Sequence, residues 1–137
     1  MIIDQRNMIL AALLLAVVSN CAHLKITEVS DSEPSGYLAA KVVRISEEYA
    51  NINTDVSEKA LRNWGIADKE QFTVKYKNHL FSVLSGQGYS DVAKGEWVGL
   101  IEDDGMLQLA ISFGNAATQI GCAVGDTLYI EEPGGGE

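Results

Sequence analysis

The chain has 19 acidic residues, two histidines and two cysteines, but none of the obvious catalytic sets is visible in their spacing. The two histidines, His23 and His79, lie far apart, one in a polar stretch and one at the edge of a hairpin. A protein zinc site needs three or four convergent His, Cys or carboxylate ligands, and no such set is visible. There is no nucleophile elbow, no phosphate-cradling glycine loop and no Cys–His pair with a family spacing. The sequence therefore predicts no catalytic residue, no metal ligands and no cofactor. The densest acidic group is Glu102-Asp103-Asp104. A calcium site needs six or more oxygens in an organised loop, so a solvated turn is the preferred reading. Cys122 sits among Ile120, Gly121, Ala123 and Val124 and reads as a small core residue rather than a reactive thiol.

Charge narrows the partners. The 137 residues carry a formal net charge of -9, and their basic side chains are scattered. Such a chain is repelled by nucleic acid, which is not an expected partner. Residues 8–18 contain no polar side chain, yet a bilayer-spanning helix needs roughly 20 apolar residues. With Arg6 before it, the run predicts a secretory signal over residues 1–21, although Asp4 is out of pattern. Cys21 follows Val18-Ser19-Asn20, the placement of a lipoprotein cysteine, and is a lipidation candidate. Asn20 fits poorly beside a cut, and simple cleavage near Cys21 or Ala22 is the competing outcome. The expected location is exported, periplasmic or at the envelope, with a membrane contact only through a lipid on Cys21.

The elements come next. Residues 22–35 read as a polar tether and residues 133–137 as a flexible tail, leaving one domain over residues 36–132. With 47% apolar residues the chain can fill a core. Residues 37–45 are β-compatible. In residues 71–76, Phe72, Val74 and Tyr76 alternate with Thr73 and Lys75, the pattern of a half-buried strand. Residues 79–84 follow across a turn at Lys77-Asn78. Residues 96–101 pair with 106–112 across Glu102-Asp103-Asp104-Gly105, a hairpin signal. Residues 127–131 form a last strand. Two short helices interrupt: one capped around Asp55-Val56-Ser57-Glu58 and running to Trp64, the other over residues 115–120 and ended by Gly121. The predicted fold class is all-β with two short helices, a small antiparallel Greek-key-like β-barrel.

Several segments in order then carry a resemblance. They are Tyr49-Ala50-Asn51-Ile52-Asn53-Thr54-Asp55, Tyr89-Ser90-Asp91-Val92-Ala93-Lys94-Gly95-Glu96, the strand from Gly105 through Leu107 to Ala110, Gly114-Asn115-Ala116-Ala117, and Gly125-Asp126. Together they resemble the C-terminal domain of the S-adenosylmethionine hydroxide adenosyltransferase family, which includes S-adenosylmethionine hydrolases and halogenases. The resemblance implies a barrel that helps to hold an adenosyl group at a trimer interface. It implies ligand-binding positions at Tyr49, Asn51, Tyr89, Asp103, Asn115 and Ala116, and a homo-oligomer. A flat base suits an apolar sandwich with a few directed edge contacts. The same residues also fit a plainer role, with Tyr49 and Tyr89 as core aromatics and Gly114-Asn115 as a helix cap. Where the halogenases have a Ser-Arg pair near the methionine carboxylate, this chain has Asp103-Asp104. Carboxylates repel a third, so a neutral, adenosine-like molecule is favoured over S-adenosylmethionine. The family's larger N-terminal domain has no counterpart in this sequence. The expected role is thus binding or self-association without catalysis by this chain alone. The alternatives are a subunit of a split S-adenosylmethionine hydrolase and a structural envelope lipoprotein.

Overall fold

The structure is a computed structural model and describes residues 34–134. The expected signal, Cys21 and nearly all of the tether lie outside the described residues, as do residues 135–137 of the tail. The described residues belong to one compact unit, Glu33–Glu137. Among them no helix is long and apolar enough to cross a membrane.

Seven strands close a barrel: β1 (Tyr37–Ile45), β2 (Ile52–Ser57), β3 (Gln71–Tyr76), β4 (His79–Ser85), β5 (Trp97–Ile101), β6 (Met106–Ile111) and β7 (Thr127–Glu131). Their order around the barrel is β1-β2-β6-β5-β4-β3-β7. Two short helices, α1 (Glu58–Asn63) and α2 (Ala116–Ile120), complete the expected all-β class. Every pair is antiparallel except β4 with β5. A parallel pair needs a crossover, and the chain between β4 and β5 supplies it with a 3-10 turn at Tyr89–Asp91.

The interior holds Ile52, Phe72, Val74, Val83, Leu107, Leu109, Leu128 and Ile130 from all around the barrel. Gly99 faces inward, where a Cβ would stand 3.1 Å from Leu107 and 3.2 Å from Phe72. A side chain there would overfill the narrow interior. Cys122 is free and buried in this core. Burial, then the nearby Asp126 carboxylate, push its thiol pKa up. β5 and β6 are covered on their outer face too. Val98, Leu100 and Ala110 form a second apolar cluster there, with Val92 of the crossover packed against it. This double burial is why residues 97–101 read as a continuous apolar run.

One boundary departs from the sequence reading. The first helix is capped by Ser57, whose hydroxyl accepts the Ala60 N–H at 3.0 Å, and not by Asp55. Asp55 belongs to β2, and its carboxylate accepts the Lys41 N–H at 2.9 Å. The strand persists through Ser57 because Ser57 still pairs with Met106. β2 itself was not anticipated, since Asn53, Thr54 and Asp55 give it a turn-like composition. Its polar residues are instead matched: Thr54 is fully buried and donates to the Leu107 carbonyl at 2.8 Å.

Candidate functional site

The site grows from the end of β6. Beyond Ile111 the chain turns through Ser112, Phe113 and Gly114 into Asn115, which begins α2. Gly114 is required here, because a Cβ would lie 2.6 Å from the Cγ2 of Ile111. Phe113 takes a left-handed φ of 58°. That conformation is costly for an aromatic residue, and it leaves the ring 86% exposed. Lys94 Nζ stands 5.6 Å from the ring centroid.

A second segment meets this turn. The link between β1 and β2 closes on itself: Asn51 N donates to Ser46 Oγ at 2.9 Å, and Ala50 N to the Ser46 carbonyl at 3.0 Å. Ala50 has φ 53°. Its carbonyl accepts the Ala117 N–H at 2.9 Å, which ties this link to α2. Tyr49 is thereby presented outward. The neighbouring Glu48 carboxylate favours the protonated hydroxyl, first as an acceptor and then by its charge, so the Tyr49 pKa lies above the usual value.

The third segment is the crossover. Asp91 accepts the Gln87 N–H at 2.8 Å and so pins the short turn that carries Tyr89. Together Tyr49, Tyr89, Ile111, Ser112, Phe113, Gly114 and Asn115 line an open pocket of about 490 Å³. The volume suits a small ligand. Its walls are largely aromatic and apolar, with hydroxyls and an amide at the edge.

Three of the sequence-predicted residues, Tyr49, Tyr89 and Asn115, line this pocket. Asn51 lies behind it. Its side chain is only 4% exposed and its Nδ2 donates to Tyr89 Oη at 2.8 Å. Ala116 is fully buried in the barrel core. Asp103 is not part of the pocket: it sits in the turn before Met106, while the pocket is built on the Ile111 end of the same strand. At ~3.3 Å per residue the two ends of β6 are about 17 Å apart. Asn115 also begins α2, and Gly121 ends it in the left-handed conformation, so the expected helix stands. His79 is exposed at the β3–β4 hairpin. Among the described residues no group of three His, Cys, Asp or Glu could hold a metal ion.

Sequence reasoning missed Phe113, Gln108 and Asn53. Phe113 carried a signal, an aromatic placed directly before Gly-Asn at a strand end. Gln108 carried none, because a polar residue alternating with Leu107 and Leu109 looks solvent-facing. It is in fact buried and hydrogen-bonded to Asn51 and Asn53.

Residues 40–129 match the family model described as the SAM hydroxide adenosyltransferase C-terminal domain. The chain belongs to that family. This C-terminal domain is also similar to a crystal structure of an uncharacterized conserved protein from Thermotoga maritima, with a TM-score of 0.65 and 18% identity. That likeness covers 69% of this chain and 36% of the other. A conserved hypothetical protein from Thermus thermophilus matches with a TM-score of 0.48 and 16% identity, over 67% of this chain and 34% of that one. The chain thus spans about a third of the length of these solved relatives. No curated protein matches it.

Proposed function

We propose that this SAM hydroxide adenosyltransferase C-terminal domain is an exported binding module for a neutral, flat, nucleoside-like molecule. The observation that carries the reading is the pocket walled by Tyr49, Tyr89 and Phe113. Aromatic faces favour a planar heterocycle, and nearby hydroxyl and amide groups can meet its polar edge. The Tyr49 and Tyr89 side chains are partly exposed, so a ligand can reach them without unfolding the core. With Asp103 outside the pocket, the case for an uncharged ligand rests on the lining residues themselves, none of which carries a charge.

Isothermal titration calorimetry with adenosine tests this. Adenosine is expected to bind the wild-type protein, and Tyr89→Ala is expected to weaken it by about tenfold, the loss of one aromatic face. S-adenosylmethionine is expected to bind more weakly than adenosine. No heat and no chemical-shift change with either compound would remove the reading.

A second reading is favoured by the exposure of Phe113. An aromatic ring held outward by a strained backbone, at the mouth of an open pocket, suits completion of the site by another protein surface. Under it, the chain self-associates or joins a separate catalytic domain, as in a split S-adenosylmethionine hydrolase. Sedimentation of wild type and Phe113→Ser distinguishes the cases: assembly lost in the variant supports it, and a monomeric wild type counts against self-association.

A further inference from the structure

Arg44, Asn53 and Gln108 stand opposite one another on three neighbouring strands. Arg44 of β1 pairs in register with Asn53 of β2, and Asn53 pairs with Gln108 of β6. Asn51 lies just before β2, and its side chain reaches Gln108. These side chains form one line of hydrogen bonds that ends at the pocket. Arg44 Nη2 donates to Asn53 Oδ1 at 3.4 Å, and Gln108 Nε2 donates to the same oxygen at 3.1 Å. Asn51 Nδ2 donates to Gln108 Oε1 at 3.2 Å and to Tyr89 Oη at 2.8 Å.

The direction of this line has a cause. A primary amide has a donor end and an acceptor end, and turning it over exchanges them. Turning all three amides together would reverse every bond in the line. Either direction leaves two buried atom positions without partners, those now held by Asn51 Oδ1 and Asn53 Nδ2. Hydrogen bonding among the amides therefore does not choose between the two. A guanidinium does choose, because it can only donate. With Arg44 at the head, Asn53 must present its oxygen. Gln108 then turns its oxygen to Asn51, and Asn51 turns its NH2 to Tyr89. The Tyr89 oxygen accepts, and its own proton is left unused by the line. In the reversed line that proton would be given to Asn51.

We propose that Arg44 sets the hydrogen-bond polarity of the pocket through this amide relay, so that Tyr89 offers its hydroxyl proton to the ligand and the site selects molecules with an acceptor there. The proposal rests on the reading of the pocket as a ligand site and names the positioning residue that tunes it. Arg44 is outside the pocket and solvent-exposed, and among the described residues no carboxylate forms an ion pair with it. Substituting it should leave the barrel intact.

The test compares Arg44→Glu and Arg44→Lys in the full chain. A carboxylate at the head accepts instead of donating, and so favours the reversed line. In Arg44→Glu the side-chain NH2 resonances of Asn51, Asn53 and Gln108 are expected to shift while the backbone spectrum away from β1 and β2 is unchanged. Adenosine affinity is expected to fall about fivefold, the value of one neutral hydrogen bond. Arg44→Lys, still cationic and donor-only, is expected to keep both properties. Adenosine is uncharged, so the new charge does not itself repel it. Unmoved Asn51 and Gln108 resonances in Arg44→Glu overturn the relay. Moved resonances with unchanged affinity overturn its role in selection. Moved resonances in a protein that binds no adenosine support the relay and sink the binding reading instead.

Discussion

Thr54 uses its hydroxyl twice, donating to the Leu107 carbonyl at 2.8 Å and accepting the Val56 N–H at 3.2 Å. It is fully buried, so neither partner has water as a substitute. Thr54→Val keeps the shape and removes both bonds. The expected cost is about 1–3 kcal/mol, read as a lower urea midpoint with an unchanged slope. An unchanged midpoint would show that β2 tolerates these groups unpaired. The same residue explains part of what sequence reading could not see. In Ile52-Asn53-Thr54-Asp55, polarity suggests a turn, and only the cross-strand partners reveal a strand. Gln108 misleads in the same way, because alternation specifies which face a residue takes and not whether that face is covered. Tyr49, Tyr89 and Asn115 entered through the order of motifs shared with the family, and local chemistry alone would have left them as core aromatics and a helix cap; the structure sets the three around one pocket.

At the scale of elements, the pocket depends on a turn as much as on side chains. Residues 111–115 form one continuous wall, shaped by the absence of a Cβ at Gly114. Gly114→Ala would drive a methyl group into Ile111, a core residue whose own space is fixed. Overpacking of this kind costs about 1–3 kcal/mol. It should also displace Phe113 and Asn115 together. The expected outcome is a lowered melting temperature and weaker adenosine binding, measured on the same preparation. Retained binding with full stability would show that the turn yields without moving the wall. β3, with one buried face, was legible from alternation, and the β5–β6 hairpin, buried on both faces, from its apolar runs on either side of Asp-Gly. Asp103 lies away from this pocket for an element-scale reason: a hairpin carries its turn away from the end where its strands feed the pocket. Motif order along the chain contains no such distance.

At the scale of the molecule, closure falls to β7, the last strand, which lies between β1 and β3 and pairs with both. The class was legible, since several short strands separated by tight turns manage their edges by closing into a barrel or packing as a sandwich. The parallel β4–β5 pair was not, because nothing local distinguishes a hairpin partner from a crossover partner. The closing strand is also held from outside the ladder. Tyr76, at the end of β3, donates to Asp126 Oδ2 at 2.6 Å, and the same oxygen accepts the Ala123 N–H at 2.9 Å. The hydroxyl, then the backbone N–H, hold the Asp126 pKa below its usual 3.8. The carboxylate in turn raises the Tyr76 pKa above 10.0. For Asp126 the stabilisation is present above pH 3.8 and is lost as pH falls through the lower folded value. For Tyr76 it is present below pH 10.0 and is lost as pH rises through the higher folded value. The clasp is therefore constant across neutral pH and fails at both extremes. Tyr76→Phe removes the hydroxyl and leaves the ring in the core. Its melting temperature is expected to lie below wild type at pH 7, and the gap is expected to narrow as pH drops below 3.8. A gap that stays the same from pH 7 to pH 2 would mean that the loss is one of packing, and that β7 is held by its ladder alone.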